Sequence, residues 1–171
     1  IKNIVKKPFV SAALDYGNEV HNALQKIVQG QAKLEDFPTD QQKSIKNGLS
    51  ALKELEKKFP GLKIVSAEKY EKVPIKSITT YNQKDNLIFG GFLDLVFKHN
   101  DGFLIIDWKT DKDDKKASVH KRQLTVYKKM YSKLYNIPPE KITTCIVFVA
   151  LRGSINIGKF DSKIEFSTRD S

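Results

Sequence analysis

Cysteine is almost missing from this chain: Cys145 is the only one among 171 residues. A lone thiol excludes an intrachain disulfide framework and a cysteine-ligated zinc or iron–sulfur centre. It also fits an intracellular location, because small secreted domains are commonly stapled by disulfides. Long apolar runs are missing as well. No stretch approaches the roughly 18 apolar residues of a membrane-spanning helix, and no signal peptide is visible, so no membrane insertion is expected. Methionine occurs once, at Met130, and the sequence begins at Ile1. The reading is a fragment or processed form, one domain cut from a larger protein. Acidic residues are outnumbered, 20 against 30 Lys and Arg, for a formal net charge of +10. That balance favours polyanionic partners, nucleic acid before anionic membrane, although solubility alone is a competing reason for it.

What is present suits an ordinary soluble fold. The apolar fraction is 40% and the charged fraction 29%, as in globular proteins. The length allows one domain with a real core, spanning 1–171, without internal repeats or low-complexity tracts.

The most informative stretch is 90–110, GGFLDLVFKHNDGFLIIDWKT. Residues 88–98 and 103–108 are rich in β-branched and aromatic side chains, and Asn100-Asp101-Gly102 between them is a strong hairpin signal. If Asn100-Asp101 form the loop, Asp94 faces Asp107. If Asp101-Gly102 form it, Asp94 faces Lys109. Either two-residue register puts Asp94, Asp107 and Lys109 on one face, whereas a three-residue loop would not.

Phe92, Val96, Phe103 and Ile105 are expected on that same face, with Leu93, Leu95, Phe97, Leu104, Ile106 and Trp108 on the other. Both faces are apolar, which places the hairpin at the covered centre of a sheet. Two carboxylates about 4 Å apart repel by roughly 4 kcal/mol at an effective dielectric near 20. A structural core has no use for that pairing, and a divalent cation with a lysine would resolve it. The plain alternative is that the aspartates cap strand ends and Lys109 pairs with one of them.

Around this hairpin the chain reads as follows. Residues 10–29 form a helix with Leu14, Gly17, His21, Leu24 and Val28 on one stripe. A histidine on an apolar stripe is more often a satisfied core residue than a ligand. A second helix, 41–58, is capped by Thr39 or Asp40 and buries Ile45, Leu49, Leu52 and Leu55. Its lysines are most simply a solvated face. Residues 62–70 read as a strand, 73–81 as a partner for it, and 82–86 as a polar turn.

After Thr110, the charged run 111–116 carries no secondary-structure signal. A helix over 117–135 places His120, Gln123, Leu124, Tyr127, Tyr131 and Leu134 on one face, with Gln123 and Tyr127 projecting together. Tyr127 as core and Gln123 as its satisfied neighbour is the plain alternative. The run 141–151 reads as a buried strand, 155–160 as another, and 162–171 as an edge tail.

Three ordered motifs, Gly91-x-x-Asp94, Asp107-x-Lys109-Thr110 and Gln123-x-x-x-Tyr127, together resemble the PD-(D/E)XK nucleases, in their RecB-like exonuclease branch. Gly17-Asn18-Glu19-Val20-His21 is similar to that branch's Gly-x-x-x-His helix. The single cysteine separates this chain from relatives that carry an iron–sulfur cluster. The resemblance implies an α/β fold, restriction-endonuclease-like, with a central mixed sheet flanked by helices.

It further implies that His21, Asp94, Asp107 and the Trp108 carbonyl bind a divalent metal, Mg2+ or Mn2+. Lys109, Gln123 and Tyr127 would complete the catalytic set with the two aspartates. Glu68 is the counterpart of a glutamate that can lie near the metal, although Glu71 competes for that place. Neighbouring carboxylates raise a lysine pKa while burial and a cation lower it. The reading adopted is a charged Lys109 that orients water and stabilises developing charge, rather than a general base.

The implied function is metal-dependent hydrolysis of DNA, most simply by an exonuclease of repair or recombination. The implied partners are DNA with ends and a helicase domain or subunit. A non-catalytic basic nucleic-acid-binding module is the alternative, and it would be expected to have lost a motif residue. A basic RNA-binding or ribosome-associated domain is a further one, and it leaves the converging aspartates and lysine unexplained.

Overall fold

Parallel strands cannot be joined by a tight turn, and this fixes the centre of the architecture. In the computed structural model, which describes residues 12–79, 86–152 and 160–166, strand β3 (Gly102–Lys109) runs parallel to β4 (Ile142–Arg152). The crossover between them is made by a helix spanning Ala117–Tyr135. That helix stops where Asn136 adopts a left-handed conformation, φ 53° and ψ 47°, and returns its N–H to the Ser132 carbonyl. Asn tolerates this cap geometry, and Pro138-Pro139 prevents helical continuation.

Two further helices precede it, α1 (Ala12–Val28) and α2 (Thr39–Lys58), so the crossover helix is α3. Strands β1 (Lys63–Pro74), β2 (Ile88–His99) and β5 (Phe160–Phe166) complete one sheet in the order β1-β2-β3-β4-β5. Every pairing except β3–β4 is antiparallel. The result is a mixed α/β sheet with β3 at its centre.

Both faces of that sheet are covered. Leu95, Phe97, Leu104, Ile106, Trp108, Cys145 and Val147 pack against Val20, Ala23 and Leu24 of α1 and Ile45, Ala51 and Leu55 of α2. Val96, Ile105, Ile146 and Phe148 pack against Leu124, Met130 and Tyr131 of α3. Burial of β4 is continuous over residues 144–150, as expected for a strand covered on both sides.

Several expectations shift. β1 runs on to Pro74, so Val73 belongs to it rather than to a separate strand, and a short 3-10 turn, Ile75–Ser77, follows. The turn expected over 82–86 and the strand expected over 155–160 fall mostly outside the described residues. β5 begins at Phe160, where that strand was expected to end.

The face of α1 that meets the sheet is centred on Val20, Ala23 and Leu24, each 0% exposed, whereas Leu14 is 55% exposed. Helical spacing admits two overlapping stripes here. The one that packs leaves His21 at its margin, with its side chain 27% exposed.

Candidate metal and catalytic site

The β2–β3 register runs from Leu95 opposite Ile106 to His99 opposite Gly102. Asn100-Asp101 are therefore the loop, and the register that turns Asp94 towards Asp107 is the one adopted. At Asp94 the ladder to β3 ends and the ladder to β1 skips one pair, resuming beyond it in the same register. On the β3 side, the Trp108 N–H donates to Asp94 Oδ2 at 2.8 Å, taking a side-chain acceptor in place of a backbone one. On the β1 side, the pairing passes from Ala67–Leu95 to Lys69–Leu93. The residue between, Glu68, has φ 48°, a left-handed conformation that costs a non-glycine residue about 1–2 kcal/mol.

This irregularity overturns the expected alternation. Leu93 packs with Val96 and Ile105 on the α3 side, not with Leu95. Phe92, expected to share a buried face with Val96, is 59% exposed.

The consequence is a cluster assembled from three elements. His21 Nδ1, on α1, lies 3.6 Å from Asp94 Oδ2 and 3.9 Å from Glu68 Oε1. These three side chains each offer a ligand atom within 4.8 Å of the others. Behind them, Lys109 Nζ sits 3.1 Å from Asp107 Oδ2, and that buried oxygen makes no hydrogen bond of good geometry among the described residues.

Two glycines let the helices close on this cluster. A side chain on Gly17 would press on the Thr110 hydroxyl at 2.9 Å, and one on Gly91 would collide with the Tyr127 ring. Tyr127 thereby reaches across from α3, and its hydroxyl accepts a hydrogen bond from Gln123 Nε2 at 3.1 Å.

The charges are strongly coupled. Burial pulls His21 down, but Asp94, Glu68 and Asp107 outweigh it and raise its pKa to about 10. Asp107 is pushed up to about 7 by burial and then by the charge of Asp94, against the pull of Lys109. Burial opposes ionisation of Asp94, yet His21 and the Trp108 amide hold its pKa below the usual value. Lys109 is raised: burial lowers it, and the charge and hydrogen bond of Asp107 prevail. Tyr127 is raised by burial and by the nearby charge of Asp107.

The family profile described as the PD-(D/E)XK nuclease superfamily matches residues 3–163. The chain belongs to the PD-(D/E)XK nuclease superfamily. Its five-stranded mixed sheet flanked by three helices is consistent with the restriction-endonuclease-like fold. A comparison with curated proteins finds no match.

PD-(D/E)XK nucleases generally use divalent metals, and the side chains gathered here suit one. An imidazole nitrogen and two carboxylate oxygens converge, a donor set acceptable to first-row divalent ions. The buried Asp107 Oδ2 has the Lys109 ammonium at 3.1 Å but no hydrogen bond of good geometry among the described residues, so it keeps acceptor capacity for a cation. Of the residues expected at the metal, His21 and Asp94 are brought together directly, and Asp107 adjoins Asp94. Trp108 contributes its N–H to Asp94, and a strand residue's N–H and C=O emerge on the same edge, so its carbonyl points the same way.

Glu68, left outside the expected ligand set, joins the cluster. Its rival Glu71 is buried with the Tyr135 hydroxyl and Lys69 Nζ as partners. Strand position alone could not separate these two glutamates, because the signal is the break in β1. His120 and Asp111 were not singled out as a pair, yet they lie 3.0 Å apart and pin the segment after β3 to α3.

A larger cleft, about 480 Å3, is lined by Lys76, Lys129, Lys133 and neighbouring hydroxyls. Its lining, among the described residues, offers no carboxylate or imidazole. Among the described residues, no helix is long and apolar enough to cross a membrane.

Proposed function

We propose that this nuclease-superfamily chain is a divalent-metal-dependent deoxyribonuclease of the RecB-like kind, hydrolysing phosphodiester bonds at DNA ends during repair, recombination or related processing. The observation that carries the reading is the convergence of His21, Glu68 and Asp94 within ligand distance, beside an Asp107–Lys109 ion pair at 3.1 Å.

His21, Glu68 and Asp94 would hold Mg2+ or Mn2+, with Asp107 and the Trp108 carbonyl adjoining. When bound, the cation supplies Lewis acidity towards a phosphate oxygen and acidity to water. Lys109, charged and held by Asp107, orients the attacking water and stabilises the negative charge that develops on the phosphorus oxygens. Trp108 fixes Asp94 through its amide. Tyr127, steered by Gln123, lines the α3 side and positions the substrate backbone. Exposed Lys112, Lys115, Lys116 and Arg122, with Lys121, follow the Asp107–Lys109 string in sequence and suit contact with phosphates. Within the same reading, a helicase domain or subunit would deliver the ends.

The alternative, a non-catalytic basic binding module, gains nothing from the geometry, since every motif residue is present. The test is incubation with end-labelled linear and closed circular DNA, single- and double-stranded, with and without chelator. Cleavage confined to substrates with ends and abolished by chelator supports the proposal. Binding without cleavage under all metal conditions supports the alternative.

A further inference from the structure

Tyr70 on β1 and Phe92 on β2 stand open to solvent, 51% and 59% exposed. They face each other across the strand ladder, with ring centroids 5.2 Å apart and planes tilted by 58°. A side chain on Gly90 would collide with the Tyr70 hydroxyl, so the bare glycine gives the tyrosine room to lie across β2. Cross-strand aromatic pairs stabilise sheets, which accounts for the contact between the rings but not for what Phe92 adjoins. Phe92 lines a cleft of about 270 Å3 together with Asn18, Asn22 and Gln25 of α1 and with His21 and Glu68 of the metal cluster.

The chemistry of that cleft is specific. Asn18, Asn22 and Gln25 follow helical spacing on one face of α1 and offer neutral amide donors and acceptors, groups that pair with the edges of nucleobases. Aromatic faces stack bases irrespective of sequence. The acidic cluster beside them would engage a phosphate through its cation, and the base of that nucleotide must then lie within one nucleotide's reach. Inside a duplex each base face is covered by its neighbours, so away from a terminal pair an exposed ring can receive only a base that has left the stack.

We propose that Phe92, flanked by Tyr70, is a stacking platform for one unpaired nucleobase beside the scissile phosphate, so that the site takes single-stranded nucleic acid or a frayed end. The inference rests on the nuclease reading and adds the substrate class. It assigns Phe92 to positioning, since the ring touches no reacting atom.

The test is fluorescence anisotropy with a short labelled DNA strand, the RNA strand of the same sequence, and a blunt DNA duplex, all in chelator so that nothing is cut. Wild type is compared with Phe92→Ala and Phe92→Trp, each checked for an unchanged melting temperature and an unchanged manganese titration. Phe92→Ala should weaken single-strand binding roughly 5- to 150-fold, the range for loss of one base–aromatic stack. Phe92→Trp should restore it, and duplex binding should hardly move. The RNA strand should show the same loss, because the platform reads the π-face and not the sugar. Unchanged single-strand affinity in Phe92→Ala, or an equal loss on duplex, overturns the platform alone. Wild-type protein that binds none of the three nucleic acids in chelator, and neither binds nor cuts them in manganese, contradicts the nuclease reading and the platform with it.

Discussion

The Trp108 amide donates to the Asp94 carboxylate at 2.8 Å, and this one hydrogen bond ties the two acidic motifs of the site together. It takes up a backbone donor at the point where β2 leaves the regular ladder. It also orients Asp94 so that the same Oδ2 lies 3.6 Å from His21 Nδ1. A structural bond and a ligand position are thus shared by one oxygen.

Asp94→Asn separates these roles. The amide oxygen can still accept from Trp108, so the fold should be retained, while manganese affinity should fall at least about tenfold, in line with the cost of losing a partner at a metal site. The Asp107 pKa, held at about 7 by burial and by the charge of Asp94, should drop towards the ordinary carboxylate range. NMR titration of the Asp107 carboxyl reads this directly. Asp94→Ala should in addition cost about 1–3 kcal/mol in urea denaturation, because it orphans the Trp108 N–H.

The metal-free protein should lose stability as pH rises. His21 is raised from 6.5 to about 10, so its contribution is complete below 6.5 and fades through about 10. Asp107 is raised from 3.8 to about 7, so the folded state favours its protonated form, an advantage complete below 3.8 and lost as pH rises through about 7. The lowered Asp94 value acts only in acid, with the opposite sign. Melting temperatures should therefore decline from about pH 4, through the Asp107 interval and then that of His21, to about pH 10. Manganese should reverse the trend, because neutral imidazole and ionised carboxylates are the binding forms and binding releases protons. Calorimetry in buffers of different ionisation enthalpy at neutral pH should register that release.

Glu68 carries both a ligand atom and a left-handed backbone. Glu68→Gln keeps the strain and weakens the ligand, so metal affinity should fall with little change in metal-free stability. Glu68→Gly removes both, and the metal-free protein should be no less stable than wild type, since glycine adopts φ 48° without steric penalty. Parallel chemical melts and metal titrations of the two variants check this. A Glu68→Gly protein that is much less stable would show that the side chain, not the site, justifies the conformation.

Much of this arrangement was legible in the sequence because it is local. The turn signal at Asn100-Asp101-Gly102, though not the choice between its two registers, the apolar strands and the alternation on β3 put Asp107 and Lys109 on one face without any tertiary information. The helix over 117–135 follows from its periodicity and from Asn136 with the prolines beyond it. The phase change at Asp94 was not legible. Leu93 and Leu95 sit two apart, and alternation assigns them to one face; only the broken ladder beside Glu68 sends Leu93 to the α3 side. The choice between Glu68 and Glu71 stayed open for the same reason, since it depends on a backbone irregularity that composition does not record. On α1, two helical stripes overlap, and contact with the sheet decides between them, which is why Leu14 is exposed and His21 marginal.

Nucleic-acid binding should be steeply salt-dependent. Each phosphate neutralised contributes a log–log slope of about −0.9 on duplex DNA or about −0.7 on a single strand. Charge reversal of exposed Lys112, Lys115 and Lys116 should weaken binding and flatten that slope, which anisotropy titrations over a salt series measure. An unchanged slope would remove the segment after β3 from the binding surface.

The most direct test of the site is cleavage of end-labelled DNA by Lys109→Ala in saturating manganese, alongside the wild type. Lys109 is buried enough to be held by Asp107 at 3.1 Å, and it is raised in pKa, so that it stays charged. Its loss should lower the cleavage rate at least about a hundredfold, as removal of a preorganised charge-stabilising group does, while the manganese midpoint and the melting temperature change little. Near-wild-type, chelator-sensitive cleavage by Lys109→Ala would contradict the assignment of catalysis to this site.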